Sequence, residues 1–127
     1  MWVTTKDGFY SVVQQRDDPT KLIIRARARE DLERMCATID MSLKMIEFDG
    51  SADYAWRVGQ EYNCISRVDW LRYLAIAVDE LDYDSHCKEE MTVATGKRDA
   101  DRYRWYMGSW SGGHQYQRNT MKKRNGR

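Results

Sequence analysis

Histidine is scarce in this chain, with two residues in 127, and so are proline (one), phenylalanine (two) and cysteine (three). Two histidines leave few acid–base candidates and too few nitrogen ligands for a zinc centre. An odd cysteine count with no short-range pairing pattern argues against a disulfide framework, and a reducing, cytoplasmic setting is expected. No apolar run approaches the ~20 residues of a membrane-spanning helix, so no membrane partner is expected. The opening "MWVTTKDGFYSVV" lacks the basic flank and apolar core of a secretory leader, and none is expected. Neither a G-x-S-x-G elbow nor a phosphate-binding loop is present; "ATGKRD" (94–99) has a Gly-Lys without the upstream glycine. Cys36 falls on an apolar stripe and reads as core, while Cys64 and Cys87 have no orienting histidine beyond His86. No catalytic residue, metal site or cofactor is therefore assigned, and the expectation is a protein that is not an enzyme.

Bulky core material and charge are plentiful. Five Trp and eight Tyr accompany 32% charged residues, and 127 residues suffice for one domain burying about two thirds of its unfolded surface. The net charge of +1 conceals a split. Residues 1–96 carry 12 Lys/Arg against 18 Asp/Glu, and residues 97–127 carry 9 against 2. A basic end of this kind suits an anionic partner, although basic termini are often simply solvated.

Periodicity gives the order of elements. Trp2–Thr5 and Phe9–Gln14 flank Lys6-Asp7-Gly8, a hairpin signal resting on the tolerance of glycine for positive φ. "RDDPT" (16–20) turns the chain into a third strand, Leu22–Ala28. Leu32, Met35, Cys36 and Ile39 then follow helical spacing. Short strands are expected over 44–49 and 53–61, the latter with Tyr54, Trp56 and Val58 on one face and Ala55, Arg57 and Gly59 on the other. Ser66 with Asp69 resembles a capping box opening a helix from Val68 to Leu81, apolar on almost every side and so expected to be buried from more than one direction. A last helix is expected over 99–110. The fold class is α+β: a two-layer sandwich with a mainly antiparallel sheet of about five strands, β-β-β-α-β-β-α-α, and helices on one face. The domain is expected to span 1–112, with 113–127 a basic, mobile tail.

Two charged stretches are candidates for binding. In "LIIRARARED" (22–31), Arg25, Arg27 and Arg29 share one parity, a row about 13 Å long on the solvent face of a strand. Its cross-strand neighbours are either Phe9, Ser11 and Val13 or Tyr10, Val12 and Gln14. Arginine suits planar recognition of phosphate or carboxylate, and basic plus aromatic groups on an open sheet can take single-stranded nucleic acid. A charged outer face also keeps a sheet soluble, and Asp17, Asp18, Glu47 or Glu61 could neutralise the row. The second stretch, "DELDYDSHCKEE" (79–90), gathers acidic residues around His86 and Cys87. It reads mainly as a solvated helix end, with Asp82 and Asp84 the only plausible hard-cation ligands.

The stretches "MWVTTKDGFYSVVQQRDDP", "RARAREDLE", "ADYAWRV", "SRVDWLRYLA" and "DYDS" together resemble a family of small uncharacterised proteins in actinobacteria and phages. The likeness covers roughly residues 1–85 and is strongest over 1–32. The chain departs from it at Ser85-His86-Cys87 and in the basic stretch after Trp110. The resemblance implies a small, free-standing, phage-borne cytoplasmic protein and carries no activity. The leading expectation is an inhibitor or adaptor that docks on a host protein or ribonucleoprotein complex, with nucleic-acid-handling defence machinery such as a CRISPR effector as the target class. Its partner-binding residues would be Arg25, Arg27, Arg29, Asp79, Glu80, Asp82 and Asp84. The alternative is direct binding of single-stranded nucleic acid through Arg25, Arg27, Arg118, Lys122, Lys123 and Arg124. A metal-dependent nuclease using the acidic stretch comes third.

Overall fold

A computed structural model describes the backbone of residues 1–59, 65–80 and 97–125, with side chains in the last segment at 108 and 111–124. Expectations resting on Glu61, Cys64, Asp82, Asp84, His86 and Cys87 lie outside the described residues. The chain divides into two compact units, Met1–Asp82 and Tyr83–Arg127.

The first unit is an antiparallel sheet with two helices. Its strands are β1 (Trp2–Thr4), β2 (Phe9–Gln14), β3 (Lys21–Ala26), β4 (Ile46–Phe48), β5 (Trp56–Val58) and β6 (Ile65–Ser66). Their order is β1-β2-β3-β5-β4, and β6 pairs with the beginning of β3. The α+β class and the sequence of elements match the expectation. Helices α1 (Arg29–Thr38) and α2 (Arg67–Asp79) both pack against this sheet.

Strand β3 is central because β2 lies along one side and β5 and β6 along the other. Leu22, Ile24 and Ala26 are buried beneath the helices, whereas Ile23 and Arg25 on the opposite face are half-buried. The pleat alternates side chains with period two, so this parity also sets the faces of the neighbouring strands. Tyr10, Val12, Val58 and Ile46 join the core from β2, β5 and β4. Helix α1 contributes Leu32, Met35, Cys36 and Ile39, the stripe its sequence spacing predicts. Its C-terminus closes with Asp40 at φ 56° and Met41 N–H donating to the Cys36 carbonyl at 2.8 Å. That is the left-handed stop more often made by glycine.

Helix α2 buries a narrower stripe than its composition predicts. The Ser66 hydroxyl caps it by accepting from Asp69 N–H at 3.0 Å, and Trp70, Tyr73 and Ala77 are buried. Val68, Leu71 and Val78 stay 62–74% exposed, and Leu74 is only half-buried. A helix lying on one layer buries one stripe, and apolar residues elsewhere on its circumference gain nothing from that packing. Trp70 stacks on Tyr73 with ring centroids 5.3 Å apart, and Tyr10 meets both rings edge-on at 6.0 and 5.7 Å.

A polar clamp ties the first hairpin to both helices. Thr5 and Gly8 exchange backbone hydrogen bonds across Lys6-Asp7. Gly8 does not take a positive φ, contrary to the expected reason for glycine there. Asp31 supplies the reason: a Cβ on Gly8 would lie 2.4 Å from its carboxyl carbon. The Asp31 carboxylate accepts from Phe9 N–H at 3.2 Å and from Arg34 at 3.0 Å, and its carbonyl accepts from the Tyr10 hydroxyl at 2.7 Å. Standing in the first turn of α1, it also faces the positive end of the helix dipole. From α2, the Tyr73 hydroxyl lies 2.9 Å from an Asp7 carboxylate oxygen and 2.8 Å from the Thr5 hydroxyl.

In the second unit, α3 runs from Lys97 to Asn125. The expected boundary at 112/113 therefore falls inside a helix, and 113–125 are helical, in place of the expected tail without regular structure. Residues 111–124 are all exposed, so no apolar periodicity marks them. Local pairs act instead: Gln115 donates to Asn119 at 2.8 Å and Arg118 to Gln115 at 2.6 Å. Lys122, Lys123 and Arg124 occupy the last turn, where cations oppose the dipole favourably.

Gly8→Ala should destabilise the fold by about 1–3 kcal/mol, because Asp31 is buried and held and cannot withdraw; a thermal melt reads this. Burial raises the Tyr10 and Tyr73 hydroxyls above their ordinary pKa of 10.0, and pushes the Cys36 thiol from 9.0 up to about 11. The folded state thus favours the protonated forms. Stability from these groups is complete below pH 9.0 and falls as the unfolded chain ionises above it. Urea midpoints measured upward from neutral pH should decline from that point, and a midpoint that holds steady would contradict the burial of these groups.

Candidate anion-binding face

The surface of β3 opposite the helices carries the first candidate. Trp2, Ser11, Arg25, Arg57 and Glu47 are successive register partners across β1, β2, β3, β5 and β4. They form a single transverse row on one face. Of the two possible neighbour sets for Arg25, the sheet selects the one containing Ser11: Arg25 donates to the Ser11 hydroxyl at 2.7 Å. Arg25 and Arg57 stand directly opposite each other, a like-charged cross-strand pair.

The expected three-arginine ladder is not formed as such. Strand β3 ends at Ala26, so Arg27 sits in the bend that follows and Arg29 opens α1. The three side chains part accordingly. The guanidinium carbons of Arg25 and Arg27 lie 5.0 and 4.5 Å from the centre of the Tyr54 ring. Arg29 lies 5.4 Å over Trp56 and pairs with Glu33 at 2.8 Å. Tyr54 is 8% exposed, its ring packed against two guanidinium groups, and Arg57 donates to the Tyr54 carbonyl at 3.1 Å. Tyr54 therefore gathers Arg25, Arg27 and Arg57 around one residue. Sequence reasoning places Arg57 on the correct face of its strand but cannot pair it with Arg25, because β3 and β5 are separated by a helix and another strand.

Charge balance sets this cluster apart. Arg29, Arg34 and Arg72 each pair with a carboxylate. Among the described residues, none lies within ion-pair distance of Arg25, Arg27 or Arg57. The Nε atoms of Arg25 and Arg57 are both buried without a hydrogen-bond partner. The acids expected to neutralise the row are otherwise engaged. Asp18 is held below the usual carboxylate range by hydrogen bonds from the Thr20 hydroxyl and amide. Asp49 is lowered likewise by the Ser51 hydroxyl and amide, with Arg57 adding a weaker attraction. Glu47 is the register neighbour of Arg57 without forming an ion pair.

The other candidates lie apart from this face. Asp79 ends α2, and Glu80 caps it while pairing with Lys6. Arg118, Lys122, Lys123 and Arg124 are exposed on α3 in the second unit. Among the described residues, no group of three His, Cys, Asp or Glu side chains is arranged to hold a metal ion. An open apolar groove of ≈ 440 Å³ includes Met1, Val13, Leu22, Trp70, Leu71 and Leu74 in its lining and offers no nucleophile. No family model, curated protein or solved structure matches the chain.

If Tyr54 orders the guanidinium groups through its ring, Tyr54→Phe should leave stability unchanged. Tyr54→Leu should lose roughly 1–2 kcal/mol, the worth of two cation–π interactions at about 0.5–1 each. Paired thermal melts of the two variants distinguish the ring from the volume it fills.

Proposed function

We propose that the protein is a non-enzymatic binding module, an inhibitor or adaptor, that engages an anionic surface of a macromolecular complex through Arg25, Arg27 and Arg57. One observation carries the reading: three neighbouring arginines lack carboxylate partners among the described residues, while aromatic and backbone groups hold them in place. A guanidinium fork recognises planar or tetrahedral oxyanions through paired hydrogen bonds. Groups fixed beforehand lose less conformational entropy on binding. Machinery that handles nucleic acid is the target class. The resemblance of residues 1–85 to small phage proteins supports that choice, as does the use such machinery makes of exposed phosphates. Arg29 supports the face from α1, its charge already shared with Glu33. The acidic residues Asp79 and Glu80 form no part of this face, and Glu80 has its own partner in Lys6.

The full chain, immobilised and exposed to an actinobacterial lysate, should retain a partner complex in a salt-sensitive manner. The double variant Arg25→Gln/Arg57→Gln should release it while melting at or above the wild-type temperature, because the substitution removes a like-charged cross-strand pair. Retention indifferent to both substitutions would refute this assignment of the face.

A further inference from the structure

We infer that the anion taken by this face is the phosphodiester backbone of single-stranded nucleic acid, with a base stacked on Trp2. The inference rests on the reading just given and names its ligand.

Three observations point to a phosphate. Arg25 and Arg57 are register partners, so their backbones stand only about 4.5–5.5 Å apart. Each carries a buried Nε–H without an acceptor. Two guanidinium groups so placed repel one another, and an anion bridging them converts that repulsion into attraction. A phosphodiester offers several oxygens to two forks at once, whereas a single carboxylate offers two. Arg27, exposed at the end of β3, supplies a third cation for an adjacent phosphate.

The aromatic groups decide between a nucleic-acid strand and an acidic protein. Trp2 is 73% exposed and is the register partner of Ser11, which accepts from Arg25. Its ring lies 6.2 Å from that of Phe9 on the same face. An exposed tryptophan beside a basic row is a stacking platform for a base, and every base has a face to offer it. Tyr54 cannot serve this way, because its ring is already covered by Arg25 and Arg27. From Trp2 to Arg57 the row crosses three strand spacings, about 14 Å. Open sheets use this scale to hold two or three bases. The sheet therefore presents a base platform at one end and phosphate-binding groups at the other, and an acidic peptide would use only the second.

The test uses the full chain with fluorescein-labelled oligo(dT) and oligo(rU) of about 12 nucleotides, a length within the usual site sizes for small folds. Anisotropy is read across a salt series, with unlabelled polyglutamate as competitor. Binding is expected, with weak competition by polyglutamate. Arg25→Gln/Arg57→Gln should lower the logarithmic salt slope by about 0.7 for each phosphate no longer neutralised. Arg57→Lys should retain the slope, because charge remains, while weakening affinity through loss of the fork. Trp2→Ala should weaken binding on the order of 5- to 100-fold without changing the slope, and Trp2→Phe should recover part of the loss. Trp2 is exposed, so these variants should melt like the wild type. Absence of oligonucleotide binding would overturn the inference, as would a Trp2→Ala variant that binds normally. If lysate capture still depended on Arg25 and Arg57, the binding face would stand with a protein as its partner. If capture were also indifferent to them, both readings would fall.

Discussion

The parity of β3 governs the molecule. Three of the other five strands pair directly with it, and both helices pack against it. Leu22, Ile24 and Ala26 must face the helices together, because alternate residues on a strand cannot be separated. A slip of one residue would bury Arg25 and expose Ile24. The cost of desolvating an unpaired guanidinium forbids that register far more strongly than the exposure of one isoleucine would. Burial on one side thus determines that Arg25 appears on the other, opposite Arg57 and beside Ser11. The candidate face is a consequence of how the core is built.

What the strand sets in one direction, the Asp31 clamp sets in the other. A sheet face and two helices could slide over one another on apolar packing alone, since such packing has little directional preference. Hydrogen bonds from Asp31 to the hairpin and from Tyr73 to Asp7 and Thr5 remove that freedom. Each has an apolar partner acting at the same place: Gly8 against the Asp31 side chain, and the Tyr10, Trp70 and Tyr73 rings against one another. Polar direction and apolar volume agree at this corner, which gives a unique arrangement its energetic gap.

The sequence is legible where physics is local. Alternation identifies the strands, helical spacing identifies the Leu32–Ile39 stripe, and Ser66 with Asp69 marks the start of α2 within a residue. Non-local geometry is not legible. Nothing in "DYAWRVG" announces that Arg57 will stand against Arg25, and nothing in "TKDG" announces that glycine is required by a carboxylate 23 residues onward. The arginine row looks like a ladder only when strand period is carried past Ala26, where the chain has already left the sheet. The apolar circumference of α2 suggests burial on every side, but composition states what a helix could bury and packing decides what it does. Residues 113–125 mislead for the converse reason: the helix there has no buried face, so its local hydrogen bonds leave no apolar rhythm.

The arginine cluster also shows how a binding surface can be rigid without being neutralised. A guanidinium group can be held by a carboxylate, which fixes its position but consumes its charge. It can also be held by a ring, a hydroxyl and a carbonyl, which fix its position and leave the net charge intact. Arg29 and Arg34 follow the first course. Arg25, Arg27 and Arg57 follow the second, through Tyr54 and Ser11. The second arrangement concentrates positive potential on one part of a unit whose composition is acidic elsewhere. An acidic surround steers anions away from the rest of the unit and toward this patch. The cost is a repulsion between Arg25 and Arg57 that the folded chain bears alone. A structure that retains such a cost where a single Gln would remove it has a use for the charge.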